Sequence, residues 1–167
     1  MTGATIQLHT TKLRTSFLSV TDSDQSTGLE QMICFELYAA SRAMTSRYRP
    51  ALDALGLTYP QYVTLRVIWH HATITIRDLG HALALDSGTL SPLLKRLEAQ
   101  GLITRRRGTH DERTVTIGLT PAGAALEHQT AGLPERIAHV TDLTLDEFHQ
   151  LHHLLSRVRA SATTRTA

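Results

Sequence analysis

The 46 residues from Thr75 to Thr120, "TIRDLGHALALDSGTLSPLLKRLEAQGLITRRRGTHDERTVTIGLT", constrain the fold more than any other stretch of the chain. Two short amphipathic segments almost touch, and two strand-like segments follow at once. In the first segment Thr75 and Asp78 form a cap pair ahead of Ile76, Leu79 and Leu83. In the second, Ser87 is the expected N-cap, Leu90, Leu93, Leu94 and Leu97 form the inward stripe, and Gly101 is the stop. Pro92 is a mild irregularity, since a proline beyond the first turn removes one backbone bond. Two short helices with a tight turn between them make a helix-turn-helix. Residues 102–106 and 113–119 favour strand around the turn-rich "GTHDE", so a hairpin follows.

Charge gathers on this region. Between residues 95 and 113, the six cations Lys95, Arg96, Arg105, Arg106, Arg107 and Arg113 oppose Glu98, Asp111 and Glu112, a net +3 against +2 for the whole chain. A helix-turn-helix followed by a basic hairpin predicts a winged helix. Its second short helix is sized for the major groove, and its hairpin for the flanking backbone or minor groove. Double-stranded DNA is the expected partner.

The remaining sequence bounds the molecule that carries this element. A chain of 167 residues is long enough for one core and short for two. A single cysteine makes no internal disulfide framework, and no secretory signal pattern opens the chain, so a cytoplasmic location is expected. No apolar run approaches the roughly 20 residues needed to cross a bilayer, so no membrane association is expected. Residues 1–27 are rich in threonine and serine without a sustained period and are expected to be a disordered extension. From Leu29, the positions Ile33, Leu37, Ala40, Met44, Tyr48, Leu52 and Leu55 step by three or four residues, predicting a long amphipathic helix that Gly56 ends. Thr58, Pro60 and Gln61 open a strongly apolar, central helix; Thr120 with Pro121 and Thr144 with Glu147 open two more, and Gly132 and Pro134 mark a kink or break between them.

Helices at both ends exceed what a compact winged helix needs, which predicts a dimerisation layer and a homodimer reading a palindromic operator. The expected fold class is therefore mainly α with a small β hairpin. Residues 28–167 form the domain: 28–57 and 121–160 are the dimerisation helices, and 58–120 the DNA-binding lobe with its wing at 102–119.

The stretch "DSGTLSPLLKRLEAQGLITRRRGTHDERTVTIGLTPAG" resembles the recognition helix and wing of the MarR family of winged-helix regulators, including the "DER" wing motif at Asp111, Glu112 and Arg113. The likeness extends from about Leu29 onward. Within that family, "CFELYAASRAMTSRYRPALDALGLTYPQY" resembles the OhrR repressors, which sense organic hydroperoxides through a reactive cysteine on the first helix, with tyrosines at the spacings of Tyr38, Tyr48 and Tyr59. Resemblance and groove geometry together put Ser87, Thr89, Ser91, Lys95 and Arg96 near the major groove and Arg113 in the minor groove, with Arg105, Arg106 and Arg107 on the backbone.

Cys34 is the one thiol, and the four tyrosines follow it by 4, 14, 25 and 28 residues. Tyr38 lies one turn along the same face and can meet its own Cys34. Fourteen residues of helix put Tyr48 on the order of 21 Å away, out of reach of its own thiol. Antiparallel first helices across a two-fold axis would bring Tyr48 of one subunit beside Cys34 of the other. The OhrR resemblance implies that arrangement, with Tyr48 and Tyr59 of the partner bonded to the sulfur. A thiolate, favoured by hydroxyl donors, attacks a peroxide oxygen to give a sulfenic acid. With no second cysteine, the chain resembles the one-cysteine members, in which a small cellular thiol completes a mixed disulfide.

Two other function classes stand beside this one. A MarR-type regulator released by a phenolic or drug-like ligand would leave Cys34 incidental. A thiol-dependent peroxidase would use Cys34 as nucleophile, although no histidine sits at a helical offset that would place a base beside it. His149, His152 and His153 share a helix face and are read as solvent-facing rather than as zinc ligands. No cofactor is expected.

Overall fold

In the computed structural model, which describes residues 28–107 and 114–164, the expected extension at residues 1–27 and the tip of the wing lie outside the described residues. A 3-10 turn at Leu29–Gln31 leads into α1 (Ile33–Asp53), followed by α2 (Tyr59–His71), β1 (Thr73–Thr75), α3 (Ile76–Leu83) and α4 (Ser87–Ala99). Then come β2 (Ile103–Arg107), β3 (Val115–Leu119), α5 (Pro121–Gln129), α6 (Leu133–Ala138), a 3-10 turn at His139–Thr141, and α7 (Leu145–Thr164). The chain divides into two units inside α1, between Ala40 and Ser41.

In the first unit Leu29, Met32, Ile33, Phe35 and Tyr38 are exposed. The apolar period that predicts burial along α1 is therefore satisfied by core contact only in its later half. In the second unit Leu52 is buried, and Met44, Tyr48 and Leu55 pack partly against the same core.

Local chemistry fixes the ends of the helices. Gly56, at φ +67°, closes α1: its N–H donates to Asp53, and the Leu57 N–H reaches back to Leu52, 2.9 Å. Gly101, at φ +70°, ends α4 in the same way through its own bond to Glu98 and that of Leu102 to Leu97. Thr58 and Gln61 form a reciprocal capping box at α2. Thr75 caps α3 by accepting from Asp78 N–H, and Thr120 caps α5 by accepting from Gly123 N–H. Thr144 and Glu147 exchange bonds at the start of α7.

One local reading needs correction. Asp86, not Ser87, is the N-cap of α4: its backbone is extended and its carboxylate accepts from Thr89 N–H at 2.8 Å, while Ser87 is already helical. The break expected at Gly132 and Pro134 is present, and it holds the six-residue helix α6, with Gly132 as N-cap, Leu133 as first residue and Pro134 as second.

α2 is the central element and packs against α3, α4, α5, β1 and β3. Its Leu65 and Ile68 meet Leu79 of α3, Leu90, Leu94 and Leu97 of α4, and Ile117 of β3 in one core. The hairpin gains a third strand, for the sheet order is β1-β3-β2, with Ile74 opposite Ile117 and Arg105 opposite Ile117 on the other side. β1 ties the start of α3 to the wing, so helix-turn-helix and hairpin form one lobe.

Candidate functional site: a nucleic-acid face and a tyrosine cluster

Around its buried leucines, α4 carries Ser87, Thr89, Ser91, Lys95 and Arg96, all exposed. Ser87, Ser91 and Lys95 follow at four-residue intervals and so form one stripe along the helix. The Thr89 hydroxyl also donates to Asp86 Oδ2 at 3.1 Å, which orients it within the first turn. These two bonds from Thr89 hold the Asp86 carboxyl below its usual range. Arg106 and Arg107 are exposed on β2. Arg105 points the other way: its Nε lies 3.1 Å from Glu98 Oε2. The N–H is not aimed at that oxygen, and Nε and Nη2 are buried without a hydrogen-bond partner among the described residues, so the contact is an ion pair alone. Arg113, with the rest of the "DER" motif, lies outside the described residues.

The second constellation is aromatic. Tyr48 and Tyr59 meet edge to face with ring centroids 5.0 Å apart. Tyr62, absent from the expected sensor set although it lies in the same sequence stretch, joins them at 5.8 Å from Tyr48 and continues to Trp69 at 6.2 Å. Burial first, then the neighbouring phenols Tyr59 and Tyr62, raises the Tyr48 pKa above its ordinary value. Burial likewise raises that of Tyr62, whose hydroxyl is enclosed without a partner among the described residues. These phenols keep their protons and stay donors. Cys34 and Tyr38 belong to the first unit and are exposed. His149, His152 and His153 are exposed on α7, and among the described residues no three His, Cys, Asp or Glu side chains are grouped to hold a metal ion. No helix among them is long and apolar enough to cross a membrane.

Comparison with known proteins agrees with this architecture. The family profile of the SarA/Rot transcriptional regulators matches residues 46–129. The chain is 48% identical over 127 residues to the organic hydroperoxide resistance transcriptional regulator of Bacillus subtilis, covering 76% of this chain and 86% of that protein. A mutant E. coli MarR solved in complex with operator DNA aligns with TM-score 0.72 and 27% identity, over 80% of this chain and 99% of that one. Reduced AbfR bound to DNA aligns with TM-score 0.67 and 31% identity, over 81% and 94%. These relatives are regulators rather than enzymes, and with them this chain belongs to the MarR/SarA-type family of winged-helix, DNA-binding transcriptional regulators.

Proposed function

We propose that the protein is a cytoplasmic, homodimeric repressor that senses organic hydroperoxides through Cys34 and then leaves a palindromic operator. One observation carries the reading. Tyr48 and Tyr59, assigned to a partner's thiol by their spacing in the OhrR resemblance, stand in direct ring contact as a single presented pair. The Bacillus relative's name points to the same inducer class. The dimer is supported by apolar side chains left exposed at both ends of the described chain. Ile33 and Phe35 are exposed on α1, and Leu151, Leu154 and Val158 on α7, more than a lone soluble domain usually shows to water.

The chemistry follows from donors that keep their protons. Tyrosine hydroxyls directed at sulfur stabilise the thiolate relative to the thiol. The thiolate attacks the outer peroxide oxygen, the O–O bond breaks, and an alcohol leaves once its alkoxide takes a proton, giving a sulfenic acid at Cys34. A small cellular thiol then displaces the sulfenic oxygen as water and forms a mixed disulfide. That adduct is bulkier than a thiol and would wedge Tyr48 and Tyr59 apart. Recognition helices that move with those tyrosines would lose register with their half-sites. In the reduced dimer, Ser87, Thr89, Ser91, Lys95 and Arg96 face the major groove, Arg106 and Arg107 lie along the backbone, and Arg113 enters the minor groove, while Arg105, expected on the backbone from the sequence, is held by Glu98.

Operator binding measured against cumene hydroperoxide, with and without free cysteine, tests this, with the adduct read by intact mass. Wild type should leave DNA as the mixed disulfide accumulates, and reductant should restore binding. Prolonged excess peroxide without thiol should give sulfinic or sulfonic acid that reductant does not reverse. Cys34→Ser should stay bound. Release of Cys34→Ser by peroxide, or release of wild type with its cysteine unmodified, refutes the redox reading and favours a non-covalent ligand.

A further inference from the structure

A run of hydrogen bonds joins the residue beside Tyr59 to the end of the recognition helix. Thr58 N–H donates to Gln61 Oε1 at 2.8 Å, Gln61 Nε2 donates to Gln100 Oε1 at 2.9 Å, and Gln100 Nε2 donates to the Gly56 carbonyl at 3.0 Å. The direction of each bond is fixed. A backbone N–H only donates, so Gln61 must turn its oxygen to Thr58 and its nitrogen to Gln100, and Gln100 must then offer its own nitrogen to Gly56. Gln61 is 4% exposed, so its amide has no ready exchange with water.

The two ends of this run matter separately. Thr58 is the N-cap of α2, and Tyr59 is its first residue. Gln100 is the C-cap of α4, with its own N–H bonded to Arg96 O at 3.0 Å. The side chain of Gln100 therefore clasps both the turn that ends α1 and the cap that carries Tyr59, while its backbone belongs to the helix that bears the DNA-facing stripe. A 13-residue helix held at this end is about 20 Å long, so a small tilt at Gln100 becomes a displacement of Ser87 and Thr89 at the other end.

We propose that Gln100 is the positioning residue that couples the sensor to the DNA-binding face: displacement of Tyr59 is passed through the Thr58–Gln61–Gln100 amides to α4. This rests on the redox reading above, and it assigns a route that reading lacks. Gln100 itself is not one of the DNA-facing side chains: it caps the C-terminal end of α4, one turn beyond Lys95 and Arg96, and its side chain is bonded to Gln61 and Gly56. Its removal should not delete a DNA contact. It should instead uncouple the two ends.

The test uses the full-length protein as parent, Gln100→Met and Gln100→Glu. Methionine occupies similar volume without donor or acceptor; glutamate still accepts from Gln61 but sets a carboxylate against the Gly56 carbonyl. Operator Kd is measured for the reduced protein and after treatment with cumene hydroperoxide and free cysteine, with intact mass confirming equal Cys34 modification. Coupling energies between sites commonly correspond to about 5- to 150-fold in affinity, so the oxidised-to-reduced Kd ratio should fall at least about fivefold in Gln100→Met, which breaks the Gln61 bond, and less in Gln100→Glu, which keeps it. Cys34 should oxidise at the parental rate. A merely structural role would shift the two Kd values together and leave their ratio intact. A ratio equal to the parent's in folded Gln100→Met, or a fall in Gln100→Glu as large as in Gln100→Met, overturns the relay. If the parent itself is not released by oxidation, the redox reading falls, and the relay's regulatory role with it.

Discussion

Glu98 on the recognition helix and Arg105 on the first strand of the wing form an ion pair at 3.1 Å, joining the two parts of the DNA-binding lobe. Three consecutive arginines are thus put to different uses. Arg105 is half-buried on the strand face that Ile103 shares, while Arg106 on the opposite face and Arg107 at the strand's end are exposed. Replacing Arg106 or Arg107 by Ala should weaken operator binding and reduce the log–log salt slope by about 0.9 for each phosphate no longer neutralised. Arg105→Ala should change that slope less and lower stability by up to about 1 kcal/mol, as for a half-exposed pair. Fluorescence anisotropy across a salt series, with a melting curve for each variant, measures both. An Arg105→Ala slope change as large as that of Arg106→Ala would mean that the pair opens on DNA.

The tyrosine cluster makes a prediction at high pH. Tyr48 and Tyr62 have raised pKa values, chiefly from burial, so the folded state holds their protons more tightly than the unfolded chain. Their contribution to stability is fully present below the ordinary tyrosine value of about 10 and is lost as pH rises through the higher folded values. Unfolding midpoints should therefore fall above about pH 10, and Tyr62→Phe should flatten the fall. Spectrophotometric titrations of the parent, Tyr48→Phe and Tyr62→Phe should show that the phenol each variant lacks ionises above the ordinary tyrosine value in the folded protein. Ionisation of both at the ordinary value in the folded protein would contradict their burial.

How far these features can be read from the sequence depends on how local their causes are. The caps at Thr58, Thr75, Thr120 and Thr144 follow from adjacent residues, because a hydroxyl three positions before a donor acts within one turn. At α4 two candidate caps stand side by side, and backbone geometry chooses Asp86 over Ser87. β1 carries no period of its own in three residues; it is a strand because it pairs with β3 more than forty residues later. Pro50 sits inside α1, where packing of Leu52 and Leu55 outweighs one missing backbone bond. At the candidate site, the spacing of Tyr48 and Tyr59 is legible, but the entry of Tyr62 into the cluster and the Gln61–Gln100 bond depend on tertiary packing. The same packing turns Arg105 away from its neighbours.

Trp69 and Gly123 mark the tightest joint of the lobe. The indole Nε1–H donates to the Gly123 carbonyl at 2.9 Å, connecting α2 to the first turn of α5. A Cβ at Gly123 would run into the Leu102 carbonyl, which also accepts from Thr120 N–H at 3.1 Å. Gly123→Ala should destabilise by about 1–3 kcal/mol or more, because the clash is with backbone rather than with a flexible side chain. Trp69→Phe should cost roughly 1–3 kcal/mol by removing the indole's bond to the Gly123 carbonyl and leaving a space beside it. Urea denaturation checks both. A Gly123→Ala variant as stable as the parent would show that the α5 start can shift away from the strand.

The last prediction concerns which chain's Tyr48 serves which thiol. In the proposed dimer the donor comes from the partner, so Tyr48→Phe in both chains should slow Cys34 oxidation while leaving reduced-state operator affinity nearly unchanged. That result alone does not distinguish a donor in the same chain from one in the partner. A heterodimer with Cys34→Ser in one chain and Tyr48→Phe in the other does. Its only remaining thiol belongs to the chain whose own Tyr48 is replaced, and it faces the intact Tyr48 of the partner. If the partner supplies the donor, that thiol oxidises at the wild-type rate; if each chain serves itself, it oxidises as slowly as in the Tyr48→Phe homodimer. Differently tagged subunits, purified together and followed by intact mass after a pulse of cumene hydroperoxide, read the rate directly. The wild-type rate is the expected outcome, and the slow rate would sink the shared sensor.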